Sequence, residues 1–249
     1  MRSIYHFLTV LSLCLMSYSA NAETYSSGNQ QVNLIELYTS EGCNGCPPAD
    51  EWLSSLEQKA GLWSEFIPLA FHVDYWDYIG WTDRFADNRF NQRQYSYVDT
   101  KNLSSVYTPG MLLNGQEWRK RPWDKFPNQN QDNAGTLSID VNNNQLNANY
   151  QSSMTKNQSL VLNIALLGFD LESNIDSGEN HGKTLNHNFV VLGYKTVAMQ
   201  PTRTDFESKQ INLPQTLQTS ERIAIATWVS TLQNLSPLQA TGGWLTNDF

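Results

Sequence analysis

Cysteine is scarce in this chain, with three residues in 249, at positions 14, 43 and 46. A small scaffold stapled by several disulfides is thereby excluded. Basic charge is also short: 16 Lys and Arg face 24 Asp and Glu, a formal net charge of −8. The longest basic run is Arg119-Lys120-Arg121. Such a balance excludes nucleic acid and anionic membrane surfaces as natural partners. No stretch approaches the ~20 apolar residues that a membrane-spanning helix needs. No internal repeat is visible, and the length suits one or two domains.

What is present begins with a secretory pattern. Met1, Arg2 and His6 lead into the apolar run Phe7 to Met16, and Ala20-Asn21-Ala22 closes it with small residues. This predicts a signal peptide over residues 1–22, cut before Glu23. Leu13, directly before Cys14, argues against lipid modification there, because such sites want a small residue at that position. Removal of the segment leaves 249 − 22 = 227 residues, with 15 basic against 24 acidic side chains and a net charge of −9. It also leaves Cys43 and Cys46 with only each other. The expected location is outside the cytoplasm, in a bacterial periplasm.

The mature chain changes character near its middle. From Val32 to about Trp118, strand-like and helix-like segments alternate. From Leu137 onward, short β-branched runs such as TLSIDV, QLNANYQ, LVLNIALLGFD, HNFVVLGYKTVAM, KQINLP and RIAIATWVS are spaced by Asn, Gly and Ser turns, which predicts a β-rich, sandwich-like domain. FPNQNQDNAG, Phe126 to Gly135, is all turn and linker chemistry. The expected organisation is a first domain over 23–126, a linker over 127–135 and a second domain over 136–249.

YTSEGCNGCPPAD holds the cysteine pair. VNLIELY before it suits a buried strand, and Trp52, Leu53, Leu56, Ala60 and Trp63 form one helical stripe after it, with Pro47 and Pro48 fitting the first turn. FIPLAFHVDYW, Phe66 to Trp76, follows as a second strand. A helix between two such strands predicts a parallel, right-handed βαβ unit with the cysteines at its strand-to-helix turn. A thiolate there is stabilised by the helix dipole and free N–H groups. Cys43, expected to be the more exposed, would attack, and Cys46, buried on the helix, would resolve the mixed disulfide. Glu41 works against thiolate formation. A structural staple is the competing reading, but closing a two-residue gap contributes little chain entropy.

Thr108-Pro109 precedes an apolar strand, Met111 to Leu113, and the hairpin signal Asn114-Gly115. This order of elements resembles the thioredoxin-like fold, in which an X-Pro pair at this point is cis and presents backbone to an extended substrate. VNLIELYTSEGCNGCPPAD, FHVDYWDYIGWTDRF, RQYSYV, SVYTPGMLLNG and SGENHGKTLNHNFVV together resemble, in that order, the exported thioredoxin-like family catalogued as domain of unknown function 1223. The resemblance implies an α/β thioredoxin-like N-terminal domain followed by a β-rich C-terminal one, and it implies no defined reaction. One departure is QEWRKRPWDKFPNQNQDN, where a closing helix would be expected but Pro122 and Pro127 break the pattern.

Candidate site residues follow from these placements. The strand ending in HVDYWD should bring Asp74, Tyr75, Trp76 and Asp77 beside the cysteine turn, at the edge where α/β sheets bind ligands, with Trp76 or Trp81 as a platform. Asp74, Trp76, Thr108 and Pro109 are therefore the expected substrate contacts. His72 reads more simply as a hydrogen-bonded core histidine, and Arg93 as an ion-pair residue. In the polar segment SGENHGKTLNHN, Glu179, Asn180 and His187 are candidates to bind a partner or support the dithiol. Cys43, Cys46, Met111, His72, His181 and His187 include soft ligands for Cu(I), but no second C-x-x-C and no H-x₃₋₅-H accompany them. The expected function is an exported thiol–disulfide oxidoreductase acting on protein or small-molecule thiols and disulfides with a separate redox partner. It needs no cofactor beyond the Cys43–Cys46 disulfide. The alternative is a copper-binding or partner-binding protein without redox turnover.

Overall fold

The computed structural model describes residues 22–119, 133–142, 144–152, 158–216 and 218–246. The expected signal peptide, apart from Ala22, lies outside them, as do Cys14, Pro122, Pro127 and residues 127–132 of the expected linker. The strands of the first half are β1 (Glu23–Ser26), β2 (Asn33–Thr39), β3 (Phe66–His72), β4 (Gly110–Leu113) and β5 (Gln116–Glu117). Two α-helices occur among the described residues, α1 (Pro47–Ser55) and α2 (Asn88–Asp99). The second half supplies β6 (Thr136–Asn142), β7 (Gln145–Gln151), β8 (Leu160–Gly168), β9 (Leu171–Asn174) and β10 (Thr184–His187). It continues with β11 (Val190–Ala198), β12 (Gln200–Pro201), β13 (Phe206–Asn212), β14 (Ile223–Thr231) and β15 (Gln239–Trp244).

Eight strands form one sheet in the order β15-β14-β8-β11-β3-β2-β4-β5, five form a second in the order β1-β6-β7-β13-β12, and β9 and β10 make a small ribbon. The large sheet is the frame of the molecule, and its alternating side chains build two large cores beside a small cluster of Phe85, Leu171, Val190 and Leu192. Leu160, Leu162, Ile164 and Leu166 of β8 pack with Leu137, Ile139, Leu146, Ala148 and Tyr150 of the five-stranded sheet. Ala165 and Leu167 of β8 belong to the other core, with Leu37, Phe71, Phe90 and Trp228. Covered on both faces, β2 and β3 are buried along their whole length, which explains their near-continuous apolar runs.

The expected fold class is corrected here. The described residues are mostly strand, and they form a β-rich sandwich rather than an α/β thioredoxin-like domain followed by a separate sheet. The finding that overturns it is the continuity of the large sheet: β11 pairs with β3, Val190 opposite Ala70, and the Ala70 amide donates to the Phe189 carbonyl at 2.9 Å. β2 and β3 are parallel with α1 between them in the chain, but this local crossover is embedded in a sheet whose other ladders, apart from β3–β11, are antiparallel. Apolar strands at positions 160–168 and 223–231 can extend an existing sheet as readily as they can build a new one. Periodicity alone does not distinguish the two outcomes.

Two element boundaries also move. The helix expected to reach Trp63 stops at Ser55 and continues as a short 3₁₀ turn, Leu56–Gln58. Gly61 then adopts φ 91°, where its carbonyl accepts from the amides of Ser64, Glu65 and Phe66. The strand expected to reach Trp76 ends at His72, because the Asp74 amide turns to Asn91 Oδ1 and the Asp77 amide donates to Asp74 O. The Asn114-Gly115 signal corresponds to a two-residue hairpin joining β4 and β5, both residues lying at positive φ. Among the described residues, no helix is long and apolar enough to cross a membrane.

Candidate functional site

The site is built where β2 runs out. The Cys43 amide donates to Ser40 O at 3.1 Å and the Cys46 amide to Cys43 O at 3.2 Å, winding the chain directly into α1. Cys46 stands at the N-cap with Pro47 and Pro48 in the first two helical positions. The prolines leave few amide donors in that turn to be satisfied. Cys43 and Cys46 are joined as a disulfide, with Cα atoms 5.5 Å apart. Cys43 is 3% exposed and Cys46 fully buried. Asn44 and Gly45 between them are the exposed part of the turn.

Three of the expected substrate-binding residues converge on this turn. The Thr108–Pro109 peptide bond is cis, and a methyl group added at Gly45 would lie 3.8 Å from Pro109 Cδ. Trp76 packs on Gly42, where an added Cβ would come within 3.0 Å of Trp76 Cβ. Its indole Nε1 donates to Thr108 Oγ1 at 2.7 Å. Tyr78, largely exposed, stacks on Trp76 with ring centroids 6.5 Å apart. Asp74 stands apart from them in one respect, because its carboxylate accepts from Asn91 Nδ2 on α2.

The segment between β9 and β10 lies over the turn. Asn180 is fully buried, and its Nδ2 donates to Glu41 O at 2.8 Å and Cys43 O at 3.0 Å. Lys183 Nζ holds Asn180 Oδ1 at 2.8 Å, and Glu179 Oε2 accepts from the Asn44 amide at 3.3 Å. His181 is exposed and takes no part.

Beneath the turn lies a buried polar cluster. His72 Nδ1 is 2.7 Å from Asp83 Oδ2, and His187 Nε2 is 3.3 Å from Glu41 Oε1. The two imidazole rings are edge-to-face with centroids 5.0 Å apart. Trp81 Nε1 donates to Glu41 Oε2 at 2.8 Å, and Thr39 Oγ1 to Asp50 Oδ2 at 2.9 Å. Burial pulls the His72 imidazolium down, but the charge and hydrogen bond of Asp83, with Asp50 and Glu41 behind, hold it net above its ordinary value. Asp83 is pushed up by burial and pulled further down by His72 and by the Glu41 and Phe85 amides, so it ends below the usual carboxylate range. Burial raises Asp50 despite His187, His72 and Thr39.

Sequence reasoning read His72 as a hydrogen-bonded core histidine and offered Glu179, Asn180 and His187 as candidates to bind a partner or support the dithiol, but it missed Asp50 and Asp83. A signal for Asp50 existed: it follows Cys46 by four residues and precedes Leu53 by three, so it lies on the stripe that faces inward. Asp83, in an irregular loop, carries no such signal. Arg93 is an ion-pair residue, buried against Glu36 with Nε 2.8 Å from Oε2. Met111 packs in the core with Leu37 and Phe71. Among the described residues, no group of three or more His, Cys, Asp or Glu side chains is disposed to hold a metal ion.

A search of curated proteins finds no match. Two solved structures are similar. The Agrobacterium tumefaciens protein AGR_C_4864 is 23% identical over 88% of this chain and 97% of its own, with a TM-score of 0.59. HBP35 of Porphyromonas gingivalis is 14% identical over 88% of this chain and 76% of its own, also with a TM-score of 0.59. At these identities the likeness concerns the fold alone. The family model described as protein of unknown function (DUF1223) matches residues 34–230, and the chain belongs to that family.

Proposed function

We propose that this protein is an exported thiol–disulfide oxidoreductase whose reactive group is the Cys43–Cys46 pair. The observation that carries the reading is the position of the pair: a disulfide closed over two exposed residues, Asn44 and Gly45, at the N-terminus of α1 and beside Pro109. A two-residue loop gives a disulfide little entropic value as a staple. The helix N-terminus favours the anionic sulfur that exchange chemistry requires. In this reading the Cys43 thiolate attacks a substrate disulfide and Cys46 displaces the substrate from the mixed disulfide. Trp76, Tyr78, Thr108 and Pro109 offer an aromatic and backbone surface to the substrate chain. Asp74, two residues before Trp76, has its carboxylate held by Asn91 of α2. Export rests on the apolar run Phe7 to Met16 and the small-residue site before Glu23.

Equilibration of the protein with glutathione buffers, with Cys43→Ser as control, tests this directly. A reversible couple between about −270 and −120 mV is expected, spanning the range of known exchange proteins. A pair that stays oxidised below about −300 mV would be a structural disulfide, and the proposal would fall.

A further inference from the structure

Four polar atoms that have no hydrogen-bond partner among the described residues meet at one buried place: His72 Nε2, both ring nitrogens of His187, and Glu41 Oε1. His187 Nε2 and Glu41 Oε1 are within ion-pair reach of each other but not in hydrogen-bond geometry. Buried polar groups are rarely left so, because each has lost its hydration without gaining a partner. Their location is the underside of the cysteine turn. Glu41 precedes Cys43 by two residues and its amide donates to Asp83 Oδ2 at 2.9 Å. Asp50 follows Cys46 by one helical turn on the buried side of α1, its Oδ2 accepts from Thr39 Oγ1 at 2.9 Å, and its carboxylate lies within electrostatic reach of both His187 and His72.

We propose that the His72–Asp83 and His187–Glu41 pairs, reached through Asp50, store the proton that the Cys46 thiol must lose when it resolves a mixed disulfide. The inference rests on the redox reading above. Cys46 is fully buried, so its proton has no direct route to water. In the resolving step the Cys46 sulfur uses its electron pair to bond to Cys43, and the Cys43–substrate S–S bond breaks with its pair leaving on the substrate thiolate. The Cys46 proton passes to the cluster and then to that leaving thiolate, so the step is balanced without a further reactant.

His72 is the best-held member. Asp83 grips Nδ1 and leaves Nε2 free, an arrangement that orients an imidazole as a proton acceptor. The net upward displacement of its titration has the same cause. The groups facing the pair are Glu41 from the turn, Asp50 from α1, Asp83 from the following loop and His187 from β10. Asp77 lies one shell out, its carboxylate accepting from the Asp83 amide at 3.2 Å. Arg84 is kept away by the Phe85 ring, which stands against both imidazoles with the guanidinium 4.5 Å from its centre. His72 and His187 hold the proton in this scheme, and Asp83 and Glu41 position the two rings.

The test separates the two chemical steps. Reduced protein is mixed with oxidised glutathione across pH, and release of glutathione from Cys43 is followed by acid quench and mass spectrometry. A Cys46→Ala background isolates attack by Cys43. Asp83→Asn removes the charge that raises His72, so resolution is expected to slow about 100-fold and its pH inflection to move lower, while attack in the Cys46→Ala background is unchanged. His187→Gln is expected to slow resolution in the same sense, and it carries the test if Asp83→Asn does not fold. Unchanged resolution and inflection in both variants, or equal slowing of both steps, would overturn the proposal. A wild-type protein that never forms the glutathione adduct would instead sink the redox reading itself.

Discussion

The Asn180 side chain donates to the Cys43 carbonyl at 3.0 Å across 137 residues of chain. With its second bond to Glu41 O, it ties the cysteine turn to the segment that crosses it. Lys183 fixes the amide's orientation by donating to its oxygen. Asn180→Ala therefore removes one donor from two carbonyls and leaves a small hole, a loss of about 1–3 kcal/mol. A lowered urea midpoint is expected, together with faster alkylation of the reduced cysteines. Alkylation no faster than in the wild type would mean that the segment does not restrain the turn.

The Trp76–Thr108 bond makes a second, separable prediction. At 2.7 Å it fixes the indole against the cis X-Pro segment. Thr108→Val keeps the shape and withdraws the acceptor, leaving the indole N–H unpaired and the ring free to turn. A loss near 1 kcal/mol corresponds to roughly a fivefold fall in the rate of attack on a disulfide-containing peptide. The reaction with oxidised glutathione, which offers little chain to the platform, should change less. Equal losses with both substrates would remove Trp76 from the binding surface.

Much of this arrangement is legible in the sequence, and the parts that are not have physical reasons. Val32 to Tyr38, the cysteine turn, Pro47-Pro48 and Asn114-Gly115 specify themselves locally, because strand patterning, first-turn proline and a left-handed turn are near-neighbour effects. The short segments after Leu137 likewise announce strands. Which sheet they join is decided by long-range pairing such as Val190 with Ala70, and no local pattern encodes it. The same limit applies to the site. Asn180 and Glu179 are polar residues in a polar segment, and Asp83 is an acid in a loop. Only the fold makes them neighbours of Cys43 and His72.

Stability should depend on pH through the same cluster. Asp83 titrates below its ordinary 3.8, so its contribution is present above that value and is lost as pH falls through the lowered one. His72 titrates above its ordinary 6.5, so its contribution is present below that value and is lost as pH rises through the raised one. Asp50 and Asp77 run the other way: burial raises both, and ionising them above 3.8 costs stability until their raised values are passed. Urea midpoints should therefore decline on the alkaline side of about pH 6.5 in the wild type. In Asp83→Asn that decline should disappear, since His72 has lost the charge that raises it. A decline of the same size in the variant would show that His72 is not its source.

Arg93 and Glu36 give the sharpest energetic prediction. Both side chains are buried, with Nε 2.8 Å from Oε2. The guanidinium also donates to Tyr97 Oη at 3.0 Å and Tyr194 Oη at 3.1 Å, and Tyr97 donates to the other Glu36 oxygen at 2.6 Å. Its flat face lies over Phe71 and Trp228, 5.5 and 5.2 Å from their centres. β2, α2, β11 and β14 thus meet on one charge pair. Arg93→Met leaves the Glu36 carboxylate buried without its cation, a loss of about 3–5 kcal/mol. Glu36→Gln added to Arg93→Met removes the stranded charge and should recover a large part of that loss, because a buried ion pair replaced as a unit is often close to neutral. Urea unfolding of the two single variants and the double variant closes the cycle. Additive losses would mean that the two side chains do not depend on each other, and that aromatic packing around Arg93, rather than its charge, holds the four elements together.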